Sequence, residues 1–115
     1  MYQFSYADIM EDAPEIGRER ERAAFDRALD LMRIADRPDA ATADRIAAAQ
    51  FVQKLWAVLI DDLTSPENAL PEALRADLVS LGLWSMRESN AVLSTPGHSL
   101  AALIEVNASI RDGLR

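Results

Sequence analysis

The chain has 115 residues, a net charge of −7 and no cysteine, and half of its residues are hydrophobic. That length suits one domain with a real core, and the missing thiols exclude disulfides, thiolate catalysis and cysteine-ligated zinc while fitting a reducing cytoplasm. The acidic balance without a concentrated basic patch speaks against direct nucleic-acid binding, which needs cations to neutralise phosphate.

Only 4 Gly and 5 Pro interrupt a chain rich in Ala, Leu, Arg and Glu, a composition that predicts an all-α fold. The N-terminal MYQFSYADIMEDAPE lacks the basic n-region and unbroken apolar core of a signal peptide, and no apolar run reaches bilayer length. It reads as soluble and unprocessed, with no membrane insertion expected. Tyr2, Phe4 and Tyr6 alternate, and Ile9 and Met10 follow. An acidic tail with no binding role rarely carries so many large apolar groups, so this lead segment is expected to dock on the helices or on a partner.

Pro14 opens a first helix, roughly 14–36, whose stripe is Phe25, Ala28, Leu29, Met32 and Ala35. In its first turns Arg18, Arg20 and Arg22 alternate with Glu19 and Glu21, and opposite charges three apart, such as Glu15 with Arg18, support one another by about 0.2–0.5 kcal/mol each. The expectation there is a solvated helix surface rather than a phosphate track. Asp36-Arg37-Pro38-Asp39 breaks the helix, and Thr42 is the expected N-cap of a second, roughly 43–64. Val52, Leu55, Trp56, Leu59, Ile60 and Leu63 form a broad stripe on it, with Phe51 and Val58 on another side. A helix apolar on two sides packs against more than one neighbour. Asp61 and Asp62 point about 100° apart, cannot share a metal, and are expected to be solvated.

The segment PENALPEALRADLVSLGLW at 66–84 leads into a third helix, roughly 71–93. Pro71 suits the first turn, where its missing N–H would be unpaired anyway. Leu74, Leu78, Leu81 and Met86 recur at helical spacing, while Trp84 falls toward the side of Asp77 and Glu88. Surplus apolar surface of that kind points to a second neighbour. Leu83 and Trp84, with Phe51 and Val58, and with Tyr2, Phe4 and Tyr6 of the lead segment, are therefore the candidate partner-binding residues. Ser94-Thr95-Pro96-Gly97 is a turn, Ser99 can cap a fourth helix over roughly 99–113, and Gly113 marks its stop.

Asn107 falls in the middle of the face made by Leu100, Leu103, Ile104, Val106, Ile110 and Leu114. An unpartnered buried amide costs about 1–3 kcal/mol. Two readings stand: a hydrogen-bonded core amide that fixes register, or a face left partly open to a partner's backbone. The architecture expected is an antiparallel four-helix bundle-like single domain behind the lead segment. Its core is expected to hold Phe25, Leu29, Met32, Leu55, Trp56, Leu59, Leu63, Leu74, Leu78, Leu81, Leu103 and Ile110.

No catalytic constellation emerges. His98 is the lone histidine and reads as an exposed turn residue or cap; Ser80, Ser85 and Ser89 have no candidate base nearby in sequence. Neither a Glu-x-x-His pair nor a Gly-rich phosphate loop is present, so no enzyme activity, cofactor or metal is expected.

Taken together, RERERAAFDRAL at 18–29, LWAVLIDDL at 55–63, PENALPEALRADLVSLGLW at 66–84 and LIEVNASIRDGL at 103–114, in this order and behind the aromatic start, resemble the FlaF family of flagellar biosynthesis regulators. The segments that match least are 37–48 and 88–99, at or near connections. The resemblance implies a small cytoplasmic secretion chaperone that binds flagellin, supports its production and export, and acts with the FlbT regulator; it carries no catalytic residues. Such a chaperone would cover a helical segment of flagellin before export, a helix-in-groove mode. The alternatives are post-transcriptional regulation of flagellin synthesis through FlbT, and a structural helical homo-oligomer.

Overall fold

Among the residues that the computed structural model describes, 14–114 with side chains from Glu19 onward, the secondary structure is helical throughout. Helices α1 (Pro14–Ala35), α2 (Thr42–Leu63), α3 (Glu72–Ser94) and α4 (Ala101–Asp112) follow one another through short connections. Each boundary has a local cause. Pro38 cannot extend α1. Ahead of α2 the cap is Ala41, not Thr42 as expected, because the Asp44 carboxylate inside the first turn accepts the Ala41 N–H at 3.3 Å and leaves Thr42 exposed. Gly97 takes φ +76° in the turn before α4, a conformation that costs little only without a Cβ. The first free N–H groups of α4 are met by Ser99 Oγ, which accepts from Ala101 at 3.1 Å, and by Asp36 Oδ1, which accepts from Leu100 at 2.9 Å.

That last bond also sets direction. The end of α1 meets the start of α4, while Arg22 Nη1 in the early turns of α1 donates to the Leu114 carbonyl at 2.9 Å, so α1 and α4 run antiparallel. Arg45 at the start of α2 donates to the His98 carbonyl beyond the end of α3 at 2.9 Å, and Gln53 pairs with Asn90, so α2 and α3 are antiparallel too. The result is an antiparallel four-helix packing with α2 lying between α1 and α3.

The core is one cluster. Phe25, Leu29, Met32, Leu55, Trp56, Leu59, Leu63 and Leu103 are buried as expected, and Ile110 packs at the margin. Phe25 meets Trp56 edge to face, with ring centroids 5.8 Å apart. The α3 expectation fails, however. Leu74 and Leu81 are 44% and 37% exposed and Leu78 is only half-buried, whereas Gly82, Ser85, Ser89 and Val92 face inward. The cause is close approach: a Cβ on Gly82 would overlap the Trp56 ring, standing 2.9 Å from Cζ3 and closer still to Cε3. Small residues let α3 settle directly on the indole, and the leucines are turned aside.

Asn107 is fully buried and belongs to a polar network inside that contact. Trp56 Nε1 donates to Asn107 Oδ1 at 2.8 Å, and Asn107 Nδ2 donates to Ser85 Oγ at 3.2 Å and to the Leu103 carbonyl at 2.9 Å. Ser89 Oγ donates to the Ser85 carbonyl at 2.8 Å. Three helices are thus tied at one level, which is the register-fixing reading of the amide. Two charged residues expected in solvent are also buried. Glu21 is 1% exposed on α1, and Asp62 is 7% exposed at the end of α2. There Asn68 folds back, donating to the Asp62 carbonyl at 3.2 Å and accepting from the Leu70 N–H at 3.0 Å; only Asp61 is left in water.

Candidate partner-binding surface

α3 sits tightly on α2 at Gly82, and several apolar side chains along the outer seam between the two helices stay partly exposed. Gln53 Nε2 donating to Asn90 Oδ1 at 2.7 Å, both at the surface, marks that seam. Residues seven apart share a helical stripe, so Ile46 and Ile60 flank Gln53 on α2. On α3 Leu83, Met86 and Leu93 lie on the Asn90 side. Ile46, Leu83 and Leu93 are 40%, 45% and 42% exposed, and Ile60, Val79 and Met86 are half-buried between them. From Leu83 to Leu93 the ridge runs about 15 Å along α3.

Of the residues singled out from sequence, Leu83 alone lies on this seam. Trp84 is rotated about 120° from Asn90, shares a stripe with Glu88 and packs half-buried against the core. Phe51 and Val58 are half-buried on the flank of α2 away from Gln53, with Phe51 also against the core. Tyr2, Phe4 and Tyr6 lie outside the described residues. Ile46 and Leu93 were missed because each lies near a helix end and outside the stripes that spacing picks out, Leu93 standing beside the buried Val92. Only the pairing of α2 with α3 brings them together.

The polar surface is organised by pairs. His98, half-buried rather than exposed, sits with Nε2 3.1 Å from Glu88 Oε1 and so ties the α3–α4 turn to α3. Arg111 Nε and Nη2 donate to the two Asp26 oxygens at 2.7 and 3.2 Å. These hydrogen bonds hold the Asp26 carboxyl below its ordinary 3.8 against an opposing desolvation, with further help from the positive charges of Arg111, Arg22 and Arg33. A carboxyl lowered in the folded state stabilises above its unfolded pKa, and that contribution is lost as pH falls through the lower folded value. Both partners are well exposed, so the effect on stability is small. A carbon-detected titration of the Asp26 carboxyl is expected to give a midpoint below 3.8 that returns to the ordinary range in Arg111→Ala. An unchanged midpoint in that variant would remove the pair as the cause.

Among the described residues, no cluster of three or more His, Asp or Glu is arranged to hold a metal ion. No helix among them is long and apolar enough to cross a membrane.

Comparison with known proteins places the chain in the flagellar system. The family model described as "Flagellar protein FlaF" matches residues 2–114. No curated protein and no solved structure matches the chain. With nearly its whole length inside that model, the chain belongs to the FlaF flagellar protein family.

Proposed function

We propose that this FlaF-family chain binds flagellin, holding an amphipathic helical segment of it along the α2/α3 seam as a cytoplasmic secretion chaperone that supports flagellin production and export. The observation that carries this reading is the ridge of Ile46, Leu83 and Leu93, each about two-fifths exposed. Exposed apolar side chains gathered along two packed helices, here on either side of the Gln53–Asn90 pair, are the usual mark of a protein-interaction site, and two helices side by side form the groove into which a third can lay its apolar face. The charge of −7 keeps such a surface off nucleic acid.

The test is titration calorimetry of flagellin into the double variant Ile46→Asp/Leu83→Asp, with a melting curve alongside. Affinity is expected to fall by about 30-fold or more, the equivalent of about 2 kcal/mol, with a much smaller change in Tm than a core substitution gives, because both side chains lie at the surface, 40% and 45% exposed. Full affinity in the variant would move the site off the seam, and no binding by the wild type would end the chaperone reading. The same two measurements on Trp84→Ala assign that indole. A lower Tm places it in the fold, and weaker binding at unchanged Tm makes it part of the partner surface. FlbT is proposed as a further partner, tested by repeating the titration in its presence.

A further inference from the structure

A second apolar face lies apart from the seam, where α4 stops short. Asn107 contacts Ser85, and α4 ends five residues later, at Asp112. On the antiparallel α3, five residues back from Ser85 is Ser80. The first turns of α3, from Glu72 to Val79, therefore run about 12 Å beyond the last turn of α4. Leu74 and Leu78 lie in this overhang and Leu81 at its edge, with Leu74 and Leu81 44% and 37% exposed. The three recur at helical spacing on one side of α3, the side that a longer α4 would cover.

Helix α1 begins at the same end. Arg22 is level with Leu114 through its 2.9 Å bond, so the turns of α1 ahead of the enclosed Glu21 also reach past α4, and the chain enters the fold at this end. We propose that residues 2–10 of this chain cover the Leu74–Leu78–Leu81 face. Thirteen residues precede Pro14. Extended, they reach about 43 Å, several times the roughly 14 Å diagonal of a four-helix packing whose neighbouring axes are about 10 Å apart. Their composition suits such a cover, since Tyr2, Phe4, Tyr6, Ile9 and Met10 give five large apolar side chains within nine residues. The family model takes in this segment too, starting at residue 2, so it is part of the family's shared pattern. The inference needs no flagellin and stands apart from the seam.

The chain has no cysteine of its own, so a nitroxide on Ser5→Cys reports from a single place in the full-length protein. Methyl resonances of Leu74, Leu78 and Leu81 are expected to lose more than half their intensity relative to the reduced label. Those of Ile46 and Leu93, at the other end of the bundle, are expected to keep theirs. Adding Leu78→Asp is expected to restore the lost intensity while the rest of the spectrum stays folded. Gln3→Cys provides a second attachment point, so a local disturbance by one label does not decide the outcome. Absence of attenuation from both sites, or attenuation spread evenly over the surface, overturns the proposal. So does attenuation that arises only between copies, read by mixing spin-labelled chains of natural isotope content with isotope-labelled chains lacking the nitroxide; the occupant would then be a second molecule.

Discussion

Trp56→Ala is expected to destabilise the protein by about 3–5 kcal/mol and to lower Tm by roughly 10–20 °C, measured by thermal or urea denaturation. The residue is 1% exposed and stands where three helices meet. Its ring packs edge to face on Phe25 of α1, fills the space opposite Gly82 of α3, and holds Asn107 of α4 through its N–H. Removing it opens a cavity whose walls cannot all collapse, and it also strips the donor from a fully buried amide oxygen. A Tm shift of only a few degrees would show that the indole is not the centre of the packing.

The two parts of that cost can be separated. Trp56→Phe keeps most of the apolar contact but removes the N–H, leaving Asn107 Oδ1 without its donor; leaving a buried polar atom unpaired costs about 1–3 kcal/mol. Asn107→Leu removes the other partner and strands the Trp56 N–H in turn. If the hydrogen bond is what matters, the double variant is less destabilised than the sum of the single ones, the signature of directly coupled residues.

Much of this arrangement can be read from the sequence, but unevenly. Helix positions, the stripes of α1 and α2, and the special status of Asn107 follow from periodicity, because large apolar residues at 3–4 spacing dominate those segments. The facing of α3 does not. Its leucines at 74, 78 and 81 outweigh Gly82, Ser85 and Ser89 in any hydrophobic pattern, yet close packing selects the small residues for the interface, and although Gly113 marks the end of α4, nothing in the pattern says which turns of α3 that end leaves uncovered. Glu21 and Asp62 were hidden for a related reason: their charge assigns them to water unless the fold that encloses them is known. The seam of Ile46, Leu83 and Leu93 is likewise a property of the pairing. Each residue alone is an ordinary surface hydrophobe; alignment of α2 with α3 turns them into a ridge.

Gly82→Val tests the close approach directly. A substitution there gains about 0.5 kcal/mol of helix propensity, so an open site would be stabilised. This site is closed. The added Cβ alone would press on Trp56 Cζ3 at 2.9 Å and on Ile60 Cδ1 at 3.1 Å, and valine adds two further methyl groups. The isoleucine tip can swing away, but the indole is pinned on its other edge by Asn107 and can yield only if α3 is pushed off α2. Overpacking of that kind costs about 1–3 kcal/mol, and the rigidity of the ring places this case at the upper end. The decisive comparison is with Trp56→Leu as background. A smaller, branched side chain leaves room for the valine, so Gly82→Val should then cost at least about 1 kcal/mol less than it does in the wild type. Equal costs in the two backgrounds would mean that contact with the indole is not what keeps residue 82 free of a side chain, and the reason α3 turns its leucines outward would have to be sought elsewhere.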